Sequence, residues 1–174
     1  IARDITARKR MEANLRESEA RFRSMFAGHA ATMLLIDPAT SAIVDANQAA
    51  VDFYGYSLAE LRAMHIWDLN TLPRAEIESR VQRARSRGLN VFDVPHRLAD
   101  GTIREVELYA SPIDTGSGEL LFAIIADVTA RRLAEEALRQ SEQKWRSVFE
   151  FLPVGLSVVD NRNQVADSNP ALAQ

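Results

Sequence analysis

The sequence predicts an α+β fold, with a five-stranded antiparallel sheet whose helices are inserted together between the second and third strands and with connector helices on either side. Three observations carry this. Short apolar runs bounded by turn residues cluster near 32–46 and 91–128, and the stretch between them carries helix caps. Asp100-Gly101 is a two-residue turn signal separating two strand-like segments, which makes them an antiparallel hairpin. A near-copy of residues 4–26 returns at 127–149, so a whole domain lies between the copies.

Taken in order, Thr32–Ile36 and Ala42–Ala46 are apolar runs joined by Asp-Pro-Ala-Thr-Ser turn chemistry. Asn47 suits the N-cap of a helix over Gln48–Tyr54, and Gly55 ends it. Ser57 with Glu60 three residues on is a capping box opening a second short helix. Pro73 sits at a first helical position and leads a longer helix to about Arg87, closed by Gly88. Its arginines at 80, 83, 85 and 87 read as a solvated helix face. Val91–Leu98 alternates loosely, and Ile103–Ile113 alternates with Glu105 and Glu107 facing solvent. After the turn at Thr115-Gly-Ser-Gly118, Leu120–Val128 is a buried strand. The predicted order is β-β-α-α-α-β-β-β.

Composition removes several functions. The chain has 174 residues, 21 Lys+Arg against 24 Asp+Glu, a net charge of −3, and no cysteine. Disulfides, thiolate nucleophiles, Cys-ligated metals and thiol photochemistry are therefore excluded. Nucleic-acid binding is not expected, because phosphate contacts need clustered excess Lys and Arg. The longest apolar run, Leu120 to Ala126, is far shorter than the ~20 residues that span a membrane. The chain opens on Ile1 without a signal-like segment and reads as a cytoplasmic piece of something longer.

The repeat sets the domain plan. Asp4–Phe26 and Asp127–Phe149 share twelve of 23 positions, and Asp45-x-Asn47 returns as Asp167-x-Asn169. The expected division is the end of an upstream domain (1–6), a connector helix (7–24), a complete domain (25–129), a second connector (130–147) and the start of a further domain (148–174). In the connectors Met11, Leu15, Ser18, Phe22 and Met25 recur at 4-3-4-3 spacing, as do Ala134, Leu138, Ser141, Trp145 and Val148. Either each helix packs on its own domain, or two chains pair as a parallel homodimer with Met11, Leu15, Phe22, Leu138 and Trp145 on the seam. Repetition at both junctions favours the homodimer.

The residues of the complete unit resemble the PAS domains of bacterial sensory proteins. The resemblance rests on RFRSMF with MLLID (Arg21–Asp37), IVDANQAAVDFYGYS (Ile43–Ser57), HRLADGTIREVELYASPI (His96–Ile113) and LLFAIIADVTARR (Leu121–Arg132). Asp127-Val-Thr129 is similar to the family's Asp-x-Thr ending, where the last strand passes into an output helix, and Asp4-Ile-Thr6 to the same ending upstream. The resemblance implies a sensory module that cups a small molecule or cofactor between sheet and helices. It also implies an attached effector, commonly a histidine kinase or a diguanylate cyclase. Asp127 and Thr129, with Asp4 and Thr6 upstream, are then the signal-relay junction, since both side chains can accept from the free N–H groups where a helix begins.

By strand alternation and family position, the cleft is expected to draw on Met33, Leu35, Val44, Phe53, Trp67, Ile77, Val81, Leu108 and Ile124, with Asn47, Tyr54, Tyr109 or Ser111 as polar orienting groups. The same residues suit a filled core equally well, so the cofactor is left unknown. A flavin–thiol photosensor is excluded, and a haem is not expected because the long helix lacks histidine. The histidines are isolated: His29 lies in a loop, His65 precedes a short helix at Ile66–Leu69 near the cleft, and His96 reads as a surface or cross-strand residue. No nucleophile elbow, phosphate loop or metalloprotease motif is present, so no catalysis is expected within the chain. A ligand-free dimerisation scaffold remains the alternative to a sensor.

Overall fold

Five strands form one antiparallel sheet in the order β2-β1-β5-β4-β3, with β1 at Thr32–Ile36, β2 at Ile43–Ala46, β3 at Asn90–Arg97, β4 at Ile103–Asp114 and β5 at Glu119–Asp127. The computed structural model describes residues 2–86, 89–116, 118–162, 164–168 and 170–173; the side chains of residues 2–8, 10, 12, 15, 167, 172 and 173 lie outside that description. The chain divides into two compact units, Ile1–Thr129 and Ala130–Gln174. The expected α+β class, sheet and inserted helices are all present in the first.

Between β2 and β3 the described residues form four helices, α2 (Gln48–Tyr54), α3 (Leu58–Ala63), α4 (Ile66–Leu69) and α5 (Arg74–Ser86), the single turn α4 being one more than the predicted order counted. Their starts and stops follow from local chemistry. Asn47 accepts from the Ala50 N–H, and Gly55 ends α2 at φ 78°, where a side chain would be strained. Ser57 and Glu60 make a reciprocal capping box on α3. Pro73 stands just before α5, whose expected end at Arg87 and Gly88 lies outside the described residues. The helices and the inner sheet face share one core, which includes Leu34, Ile43, Tyr54, Leu61, Val81, Val106 and Leu121.

The outer face of β1 and β5 is also covered. Helix α1 (Ala2–Ala27) ends with Phe26 buried among Met33, Leu35, Phe122 and Ile124. Its ring lies 6.4 Å from that of Phe122 and 6.0 Å from that of Phe22. Residues 2–6, expected as the close of an upstream domain, are helical here, and the side chains of Asp4, Thr6 and Leu15 fall outside the description. Along the rest of α1, Met11 and Met25 are exposed and Glu17 pairs with Arg21 at 2.8 Å.

Asn47 fastens α2 to the sheet. Its Oδ1 accepts from the N–H groups of Met33 (3.0 Å) and Ala50 (3.0 Å), and its Nδ2 donates to the carbonyls of Ala31 (2.8 Å) and His29 (3.1 Å). The side chain is 1% exposed and its bonds to the Met33 and Ala50 N–H groups are buried, so those two donors have no water as a substitute.

The second unit holds the remainder of α6 (Thr129–Phe151), the antiparallel pair β6 (Ser157–Val159) and β7 (Val165–Ser168), and a single 3₁₀ turn at Pro170–Ala173. In it Phe149 is buried with Trp145 5.3 Å away, while Leu138, Val148 and Val158 are exposed.

Replacing Asn47 by Ala is expected to cost about 3 kcal/mol, because it removes a helix cap and leaves the buried Met33 N–H without its acceptor. Urea unfolding checks this: the midpoint should fall while the slope stays constant.

Candidate functional site

Between α5 and the inner sheet face lies a cavity of about 50 Å³, lined by Leu34 and Ile36 of β1, Ile66 and Leu69 of α4, Ile77, Val81 and Ala84 of α5, Phe92 and Val94 of β3, Leu108 and Ala110 of β4, and Leu121 of β5. Three polar residues join this wall: Asn70, Arg80 and His96. Arg80 is already engaged, its guanidinium donating to the Asp93 carbonyl (3.0 Å) and to Glu76 (2.7 Å).

His96 differs from its expected place at the surface. It is 4% exposed, and its Nδ1 lies 2.9 Å from the hydroxyl of Tyr54, which is fully buried. Burial pushes the His96 pKa down to about 4 and raises that of Tyr54 above its usual range. The two groups share one hydrogen bond whose direction follows the ring tautomer: the Tyr54 O–H donates when the neutral ring carries its hydrogen on Nε2, and the hydroxyl accepts when Nδ1 carries it. The signal was present in the sequence: Phe92, Val94 and His96 alternate with Asp93, Pro95 and Arg97, so His96 shares the inward face.

Of the expected cleft residues, Ile77, Val81 and Leu108 line the cavity. Tyr54 stands behind His96, and Phe53 packs edge-on against Tyr54 with ring centroids 4.9 Å apart. Asn47 is occupied with the backbone. Met33, Leu35 and Ile124 point to the opposite sheet face and pack with Phe26, one residue out of phase with the expectation. Both faces of β1 and β5 are apolar because both are covered, so alternation could not set their phase. Tyr109 and Ser111 share that outer face, where the Tyr109 hydroxyl donates to Glu107 (2.8 Å), and Val44 is 44% exposed. Trp67 lies on a separate open groove beside Pro38–Ser41 and α5, its ring stacked on His65 (4.4 Å) and under the Arg74 guanidinium (3.9 Å).

The end of the sheet is stitched to the start of α6. Asp127 Oδ1 accepts from the Thr129 N–H (2.9 Å), Thr129 Oγ1 accepts from the Glu105 N–H (2.9 Å), and the Val128 N–H donates to the Glu105 carbonyl (2.9 Å). Glu105 is on β4, one residue from the buried Val106, so α6 begins on hydrogen bonds to a mid-sheet strand. Arg104 approaches Asp127 at 3.7 Å, an exposed pair of small energetic weight.

A family model described as the PAS fold matches residues 33–133. The chain belongs to the PAS family. Diguanylate cyclase DgcM of Escherichia coli (strain K12) is 34% identical over 128 residues, covering 72% of this chain and 31% of that protein. Sporulation kinase E of Bacillus subtilis (strain 168) is 28% identical over 170 residues, covering 98% of this chain and 23% of that protein. The PAS domain of an HTR-like protein from Haloarcula marismortui has the same fold, with a TM-score of 0.61 at 22% identity over 68% of this chain and 98% of that one. The chain thus spans less than a third of the length of these curated relatives. It is a PAS sensory module, and the PAS region is itself the non-catalytic part of such proteins. A flavin or haem does not fit this PAS cavity, since about 50 Å³ is far below the ~300–1,000 Å³ of cofactor-sized sites. Among the described residues no group of acids and histidines could hold a metal, and no helix is long and apolar enough to cross a membrane.

His96 gives the domain an acid limb. Unfolded, it binds a proton below pH 6.5; folded, only near pH 4, so stability falls as pH drops between the two. The expected loss from this group is about 2 kcal/mol between pH 6.5 and 5, above most carboxylate titration. Chemical denaturation of Tyr54→Phe/His96→Phe, in which the pair is replaced by two apolar rings, should lack that slope.

Proposed function

We propose that this PAS module relays a change in its sheet to helix α6, and through α6 to an effector elsewhere in the same cytoplasmic protein. The single observation that carries this reading is the bonding of Thr129 and Val128 to Glu105. Glu105 continues directly into Val106 and Leu108, which belong to the inner core and the cavity wall. A displacement of β4 from inside therefore stretches or releases the bonds on which α6 begins, giving two arrangements of the output helix with a stimulus-dependent balance. The effector is a diguanylate cyclase or a histidine kinase, supported by the relatives DgcM and sporulation kinase E.

The chain works as a parallel homodimer, with neighbouring PAS domains on either side of the complete one. The support is the repeated seam: Met11 and Phe22 on α1, and Leu138 and Trp145 on α6, are each more than half exposed. Apolar residues at heptad spacing gain most by facing a second copy. The small cavity favours a relay driven by neighbours or by a very small ligand over one built on a large cofactor.

In the full-length protein, Thr129→Val should leave the PAS domain folded and change the ratio of stimulated to unstimulated effector output by about fivefold or more, the usual scale of an allosteric coupling. Unaltered regulation in a folded variant overturns the relay. For the dimer, Leu138→Glu places a charge on the seam and should shift the sedimentation mass towards monomer at micromolar concentration; an unchanged mass rejects the pairing.

A further inference from the structure

We propose that the sheet takes an input on its outer face: Phe26, in the last turn of α1, is the positioning residue through which a movement of α1 at its seam displaces β5 and, through β5, the Asp127–Thr129 start of α6. This rests on the relay and on the paired α1 seam proposed above, and adds the place where a neighbour's movement enters the domain.

One face of α1 carries both contacts. Phe22 is 55% exposed at a seam position, and Phe26, four residues on, is 7% exposed against the sheet. Side chains at that spacing share a helix face, and the two rings are stacked, 6.0 Å apart and 6° from parallel. The stripe that meets a second copy therefore runs without a break onto the sheet. Phe26 meets the Phe122 ring of β5 at 6.4 Å and packs with Ile124 of the same strand and with Met33 and Leu35 of β1. Asp127, whose carboxylate accepts from the Thr129 N–H, lies five residues along β5 from Phe122.

The chain that follows α1 makes this contact a lever. Only residues 28–31 separate α1 from β1. Within them the carbonyls of His29 and Ala31 are held by the Asn47 amide (3.1 and 2.8 Å), and the Gly28 N–H donates back to the Ser24 carbonyl (3.1 Å). The end of α1 is thus tethered to the sheet, and a tilt or turn of the helix is taken up beside that tether, where Phe26 sits. A close-packed apolar contact has little slack, so the ring carries β5 and β1 with it. The arrangement recurs at the corresponding places of α6: Trp145 is 54% exposed, Phe149 is 6% exposed, and their rings lie 5.3 Å apart. Each connector ends in an exposed seam ring followed one turn later by a buried one, and α6 in addition begins on hydrogen bonds to Glu105.

The chain has no cysteine, so Met11→Cys puts a single thiol per copy on the α1 seam, fifteen residues before Phe26. Diamide oxidation joins two copies there by a disulfide and fixes the helices against each other, and reduction frees them. In the ¹⁵N-labelled 174-residue chain, hydrogen exchange of the Glu105, Val128 and Thr129 amides, all bonded at the α6 junction, should differ about fivefold or more between the two forms. The Ile43 N–H, bonded to the Met64 carbonyl on the edge strand β2, reports global opening and should stay within about twofold. Phe26→Leu and, separately, Phe122→Leu keep an apolar side chain and should bring the response of the junction within about twofold. A purely structural Phe26 would speed exchange of the core amides together and leave the response to oxidation in place; that result overturns the proposal. An unchanged junction in the cross-linked Met11→Cys chain also overturns it, removing the input at Phe26 while the pairing and the relay stand. Failure of diamide to produce the disulfide rejects the α1 pairing itself, and the input falls with it.

Discussion

The carboxamide of Asn47 occupies the point at which the sheet hands the chain to its inserted helices. Four hydrogen bonds, two accepted and two donated, tie it to the segment leading into β1 and to the first turn of α2. An amide is suited to this, because one planar group offers both acceptor and donors at fixed angles. The direction in which α2 leaves the sheet is thereby set, and with it the path of α3, α4 and α5 across the inner face. The cavity, the Tyr54–His96 pair and the outward placement of Trp67 all follow from that path, since Tyr54 is the last residue of α2 and Gly55 redirects the chain behind it.

Two polar devices are then embedded in an otherwise apolar layer. Near the end of β3, Tyr54 and His96 are hydrogen-bonded to each other, with the imidazole at the cavity wall. At the end of β5, Asp127, Val128 and Thr129 use their polar groups on one another and on Glu105. β4 connects the two, pairing with β3 through Arg104↔His96 and with β5 through Val106↔Asp127.

Both faces of the sheet are covered at β1 and β5, and this shapes what residue patterns can reveal. Where one face meets water, as on β3, polar and apolar residues alternate and the inward set of Phe92, Val94 and His96 can be read directly. β1 and β5 sit at the centre of the sheet, with Phe26 on one side and the inserted helices on the other. Met33 and Leu34 are then equally apolar, and so are Ile124 and Ile125, although each pair is split between opposite faces.

The sequence by itself determined the strands, the inserted helices and their order, apart from the one-turn α4 that the predicted order did not count. Caps at Asn47, Gly55, Ser57 and Glu60 and the turn at Asp100-Gly101 are local chemistry, decided within a few residues. It also carried the family and the absence of thiol chemistry. The tertiary structure decided which way the central strands face, because that depends on Phe26 reaching the outer surface from 96 residues before Phe122. It decided, too, that His96 is a buried imidazole paired with Tyr54 and not a surface residue, because that partner lies 42 positions away and only packing brings the two together. The size of the cavity belongs to the same class: it is set by how closely α5 approaches the sheet, a distance that no single stretch of residues encodes.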